Sequence, residues 1–227
     1  MQTSEVYSEK ATVFTMHDLV HDLAISLLDN KLLDKSKREN NLGRSSHYQF
    51  ALLGDCSMPL WLKSAAELIA LRFLDCRSTE LHGAAFAPAR SLRVLDLSEC
   101  CSPKLPDSIG ELKELRYLNA PGTQDLQFPE CITKLSHLIF LNLHGSDIEK
   151  IPESLGEMKD LMHLDLSGCK RIWQLPDSFM SLEKLVHLDF SGSYLMLGES
   201  EPLGALSHLE HLSLSECRIY GDLAKAP

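Results

Sequence analysis

The chain has 227 residues, 44% of them apolar, and 22 Lys and Arg against 32 Asp and Glu, for a net charge of −10. That balance disfavours nucleic acid and anionic membranes, which are held mainly by Lys and Arg; an acidic surface also keeps a large protein in solution. No stretch approaches the roughly 18 apolar residues of a membrane span, and Met1-Gln2-Thr3-Ser4-Glu5 lacks the basic and apolar regions of a secretory signal.

The first predicted element is an amphipathic helix over Thr15–Leu28. Leu19, Val20, Leu23 and Leu27 recur at helical spacing, and Thr15 with Asp18 forms a capping pair. The charged run Asp34-Lys35-Ser36-Lys37-Arg38-Glu39-Asn40-Asn41 breaks that pattern and predicts an exposed loop or linker. His47–Leu53 then reads as a strand and Trp61–Ala66 as a returning segment.

From Leu68 onward one phrase dominates, Leu-x-x-Leu-x-Leu-x-x-Cys/Ser/Thr. Clear copies are Leu92-Leu95-Leu97-Cys100, Leu138-Leu141-Leu143-Ser146, Leu161-Leu164-Leu166-Cys169 and Leu209-Leu212-Leu214-Cys217. Softer copies begin at Leu68, Leu115 and Leu185, so the period is 23 or 24 residues. A fixed period in this range predicts an α/β leucine-rich-repeat solenoid of about seven repeats. Short parallel strands form its concave face, and the convex side is irregular or briefly helical. The His47–Leu53 strand would cover the open N-terminal end of that stack.

Between strands a second phrase recurs: Leu105-Pro106-Asp107-Ser108-Ile109, Phe128-Pro129-Glu130-Cys131-Ile132, Ile151-Pro152-Glu153-Ser154-Leu155 and Leu175-Pro176-Asp177-Ser178-Phe179. Proline sets the turn onto the convex side, and Asp/Glu-Ser suits the start of a helical turn. The apolar residues before the proline and three positions after it are expected to point inward. The last copy decays at Glu201-Pro202-Leu203-Gly204, and the chain reads as one cut within a longer array.

Seven cysteines give no paired framework. Cys76, Cys100, Cys169 and Cys217 fall at the last position of the phrase, where Thr123, Ser146 and Ser193 stand elsewhere. A small polar or thiol group there is expected to turn inward and bond backbone, without disulfide or metal. With no Asn-x-Ser/Thr acceptor in the chain, this predicts a reducing, cytoplasmic setting.

On each strand the leucines point in and the residues between them point out to the concave face. Stacking aligns two columns. One runs Val94, Tyr117, Phe140, His163, His187, His211; the next runs Asp96, Asn119, Asn142, Asp165, Asp189, Ser213. The first stripe offers aromatic anchors and the second carboxylates and amides, together suiting a protein partner with apolar anchors and basic side chains. The competing reading of the second column is internal: its members bond between adjacent strands.

Catalytic readings find little support, and no enzyme is expected. His17 and His21 sit at i and i+4 with Asp18 between, but Asp is one carbon shorter than the base of a His-Glu-x-x-His helix and no third ligand is evident. There is neither a Gly-x-Ser-x-Gly elbow nor a Gly-x-x-x-x-Gly-Lys-Ser/Thr phosphate loop. No metal or cofactor is expected for the chain alone.

The segment Phe14-Thr15-Met16-His17-Asp18-Leu19-Val20-His21-Asp22-Leu23-Ala24 closely resembles the Met-His-Asp motif of plant nucleotide-binding leucine-rich-repeat disease-resistance proteins of the coiled-coil class. The phrases Leu105–Leu118 and Leu164–Cys169 resemble the repeats that follow it there. The resemblance implies that residues 1–33 are the helical remnant of a winged-helix domain, 34–60 a linker and cap strand, and 61–227 the repeat domain. It implies that Met16, His17 and Asp18 sense bound ADP or ATP in a full-length receptor. It implies further that the repeats bind a pathogen effector or guarded host protein and restrain the nucleotide-binding module. Two rival readings are a stand-alone cytosolic repeat scaffold, which would carry no Met-His-Asp helix, and a receptor-kinase ectodomain. A truncated receptor remnant without signalling is a third.

Overall fold

The computed structural model describes residues 32–35, 49–54, 66–74, 76, 81, 86–101, 103–125, 127–196 and 206–220. Each repeat phrase becomes one short strand: β3 (Ala70–Phe73), β4 (Val94–Asp96), β5 (Tyr117–Asn119), β6 (Phe140–Asn142), β7 (His163–Asp165), β8 (His187–Asp189) and β10 (His211–Ser213). Ahead of them lie β1 (Leu32–Lys35) and β2 (Phe50–Leu53). All nine form one parallel sheet in chain order, β1-β2-β3-β4-β5-β6-β7-β8-β10. A second, two-stranded parallel sheet pairs β9 (Tyr194–Met196) with β11 (Arg218–Tyr220).

The constant period explains the regular register. Leu71, Leu95, Leu118, Leu141, Leu164, Leu188 and Leu212 occupy one paired row. The first six of these are fully buried. A parallel sheet needs a crossover between strands, and the proline phrase supplies it. Asp107–Glu111, Glu153–Glu157 and Asp177–Ser181 form 3-10 turns, and α1 (Glu130–Thr133) is a single α-turn. Each starts after an extended proline: Pro106, Pro129, Pro152 or Pro176. The flanking apolar residues point inward as expected, with Leu105, Ile109, Phe128, Ile132, Ile151, Leu155, Leu175 and Phe179 all in the core. Burying each such side chain contributes about 1.5–3 kcal/mol before entropy.

The last position of the phrase is internal. Ser193 Oγ donates to Leu166 O at 2.9 Å, Cys169 Sγ to Leu143 O at 3.2 Å, and Thr123 Oγ1 to Ala120 O at 2.8 Å; Ser146 Oγ accepts from Thr123 N–H at 3.0 Å. Burial pushes the Cys100 and Cys169 thiols up to about 12, so both keep their protons at neutral pH. Cys76 departs from this pattern. It is buried, yet disulfide-bonded. A thiol at a structural position of the repeat can still pair with a cysteine that the period does not register.

One expectation near the N-terminus is corrected. Asp34 and Lys35 do not open a loop; they end β1, which pairs with β2 through Leu32↔Phe50 to Lys35↔Leu53. The strand expected at His47–Leu53 is present as Phe50–Leu53. The helix expected at Thr15–Leu28, with Met16, His17 and Asp18, lies outside the described residues, as do Trp61–Ala65 and the decayed proline phrase at residues 201–204.

Candidate functional site

The two predicted columns stand side by side on the sheet. Register pairs Val94, Tyr117, Phe140, His163, His187 and His211 in one row, and Asp96, Asn119, Asn142, Asp165, Asp189 and Ser213 in the next. Strands about 4.8 Å apart force rings in register into contact. Tyr117 and Phe140 stack with centroids 4.4 Å apart and planes 8° apart. The stripe continues with tilted pairs, Phe140–His163 at 6.0 Å, His163–His187 at 5.8 Å and His187–His211 at 5.7 Å. Tyr117, Phe140, His163 and His187 are half-buried and His211 is exposed, so the stripe lies over the stack rather than inside it.

Burial, and then the neighbouring His187 and His211, hold the His163 imidazole below its ordinary value near 6.5. Since the folded pKa lies below the unfolded one, the unfolded chain binds more protons between the two. Stability is therefore complete above about pH 6.5 and is lost as pH falls through the folded value. His163→Gln is expected to flatten this dependence. Urea midpoints at pH 7.5 and 5.5 check it: equal slopes for wild type and variant would contradict a neutral, half-buried imidazole.

The second column divides its oxygens. Asp165 Oδ1 accepts from Ser167 N–H at 2.8 Å and Ser167 Oγ at 2.5 Å, and Asp189 Oδ1 accepts from Ser191 N–H at 2.7 Å and from the Ser191 hydroxyl. Asn142 Oδ1 takes His144 N–H at 2.7 Å, and Asp96 Oδ1 takes Ser98 N–H at 2.9 Å. These are local caps two residues downstream, not the inter-strand ladder considered from sequence. Across strands, Asn119 Nδ2 donates to Asp96 Oδ1 at 3.1 Å and Ser213 Oγ donates to Ser191 Oγ at 3.4 Å. Asp96 and Asn119 are buried, so within the row Asn142, Asp165, Asp189 and Ser213 are the side chains partly open to solvent.

Sequence reading missed Arg72, which begins the second column on β3. It pairs with Glu99 at 2.9 Å and lies 3.6 Å from Asp96. Its copy, Leu68-Leu71-Phe73-Cys76, was aligned, but the columns were begun one repeat later, at Val94 and Asp96. Also missed was the row immediately ahead of the strands, Arg93, Arg116, Ile139, Met162, Val186 and Glu210. Among the described residues, no group of three or more His, Cys, Asp or Glu is placed to hold a metal ion, and no helix is long and apolar enough to cross a membrane.

Comparison with known proteins adds three findings. Residues 73–224 match a family model described as a leucine-rich repeat region. RGA1 of Solanum bulbocastanum, whose name marks it as a disease resistance protein, is 32% identical over 124 residues; the match covers 53% of this chain and 10% of that protein. This chain therefore corresponds to a small part of that relative's length. Among solved structures, the leucine-rich-repeat ectodomain of the Arabidopsis thaliana receptor kinase GASSHO1/SCHENGEN3 is 27% identical with a TM-score of 0.63, covering 76% of this chain and 21% of that one. A leucine-rich-repeat protein of Leptospira interrogans, at 24% identity and a TM-score of 0.67, covers 77% of this chain and 44% of its own and shares the fold.

Proposed function

We propose, since this chain belongs to the leucine-rich-repeat family, that it is the recognition and regulatory portion of an intracellular plant immune receptor of the nucleotide-binding, coiled-coil class. It acts without catalysis, binding a pathogen effector or guarded host protein on the concave face. The observation that carries this reading is the half-buried ring stripe Tyr117–Phe140–His163–His187, which the leucine stack does not enclose. Aromatic side chains held rigid by their neighbours are efficient anchors, because little rotamer freedom remains to be lost on binding. The similarity to a disease resistance protein supplies the biological setting.

A photo-crosslinking residue introduced at Phe140 or His163 in the chain expressed in leaf tissue tests this directly. Adducts to a defined protein are expected from those two positions and not from the exposed Glu157 in the crossover turn Glu153–Glu157. Adducts equal at all three would overturn the concave-face assignment. Met16, His17 and Asp18 are proposed to sense ADP only within a complete receptor, since one histidine cannot offset the ordering cost of a nucleotide. Calorimetry showing micromolar ADP binding by this chain alone would refute that.

A second reading, a receptor-kinase ectodomain, is favoured by two observations: the similarity to such an ectodomain and the disulfide at Cys76, since disulfides persist in oxidising compartments. Alkylation of the native protein separates the two readings. A thiol at Cys76 supports the intracellular one, and an intact disulfide in protein from its source tissue supports the other.

A further inference from the structure

The row immediately ahead of the strands gives the concave face a polarity. Arg93 and Arg116 are exposed at the heads of β4 and β5, and among the described residues neither forms an ion pair. Ile139, Met162 and Val186 hold the same place ahead of β6, β7 and β8. Their equivalence is fixed by the backbone. Arg116 and Tyr117 N–H both donate to Arg93 O, Ile139 and Phe140 N–H to Arg116 O, and Met162 and His163 N–H to Ile139 O. At the opposite margin, Asp165 and Asp189 each place one carboxylate oxygen on a serine two residues downstream. Neither forms an ion pair among the described residues. Between the cationic and anionic corners lie Tyr117 and Phe140, with the exposed Met162 beside Phe140 at the head of β7.

The corners are diagonal. From the head of β5 to the far end of β7 is two strand spacings across and three residues along, about 14 Å in all. An extended chain rising about 3.3 Å per residue covers that in four residues. We infer that the partner presents an extended segment lying diagonally over β5–β7, an acidic residue toward Arg93 and Arg116, a central aromatic or aliphatic residue on Phe140 and Met162, and a basic residue toward Asp165 and Asp189. This deepens the concave-face reading and rests on it. Complementary charge at both ends sets the direction of the segment, because the reversed order brings like charges together at each corner.

The test uses the full chain and immobilised nine-residue peptides with a central Phe, carrying Glu two residues before it and Lys two residues after, the same charges reversed, or Gln at both places. The wild-type chain is expected to retain the Glu-first peptide at least about tenfold better than the reversed one. Arg93→Glu with Arg116→Glu removes that preference, and so does Asp165→Asn with Asp189→Asn, a pair that keeps the oxygen capping each serine. Phe140→Ala abolishes retention of all three peptides. Retention that depends on Phe140 but ignores charge order, or an order preference unchanged in both double variants, overturns the polarity and leaves the concave-face reading standing. With no Phe140-dependent retention of any peptide the extended segment is wrong, and the crosslinking experiment then decides the broader reading separately.

Discussion

Gly156→Ala is expected to lower the unfolding free energy by about 2–3 kcal/mol, the upper part of the usual range for overpacking. A Cβ at Gly156 would stand 2.3 Å from Ser178 O, 2.7 Å from Ser178 Cβ and 2.9 Å from the Ser178 carbonyl carbon. Two of those atoms are backbone, so relief requires moving the whole Asp177–Ser181 turn away from Glu153–Glu157. The two turns are also tied by Ser178 N–H donating to Glu153 Oε2 at 3.0 Å. Gly145→Ala is the informative comparison. Nothing lies within 4 Å of its added Cβ, but φ is +66°, so the cost is confined to the left-handed backbone, about 1–2 kcal/mol. Urea unfolding followed by circular dichroism checks the pair. A smaller loss at Gly156 than at Gly145 would mean that adjacent convex turns are not in close contact.

Leu164→Ala is expected to cost more, about 3–4 kcal/mol within the 2–5 seen for buried leucines. Leu164 is fully buried and stands in register between Leu141 and Leu188, themselves fully buried. In a solenoid each repeat leans only on its neighbours, so the cavity weakens two interfaces at once. Leu212 occupies the same place in β10 but is 43% exposed. Its replacement by Ala should cost under about 1 kcal/mol, because little packing is lost. Denaturant midpoints for the two variants test the difference; equal losses would contradict the contrast in burial between Leu164 and Leu212.

The backbone plan was legible because one constraint repeats. A leucine phrase at constant spacing can satisfy parallel pairing only in register, so the order of β3 to β8 and both columns followed from counting. The proline phrase was equally readable, since Pro106, Pro152 and Pro176 each place a short turn at one point of the crossover. What the period does not encode was not legible. Asp165 and Asp189 were correctly placed, but their hydrogen bonds depend on serines two residues downstream rather than on the neighbouring strand. Cys76 sits where the repeat explains a thiol, so nothing local marked it as disulfide-bonded. The close approach at Gly156 arises between repeats and has no signature within either one. The extension of the sheet to β1 was hidden because its last two residues, Asp34 and Lys35, read as the start of a charged run.

The ring stripe carries the functional account, and one comparison tests it most directly: affinity for the crosslinked partner set beside unfolding free energy, for wild type, Phe140→Ala and His163→Ala. The account predicts at least about a tenfold loss of affinity at Phe140. It also predicts a stability change within about 1 kcal/mol, the scale of a single ring pair. Unchanged affinity in both variants, or a loss that merely follows unfolding, would contradict a concave face built for recognition.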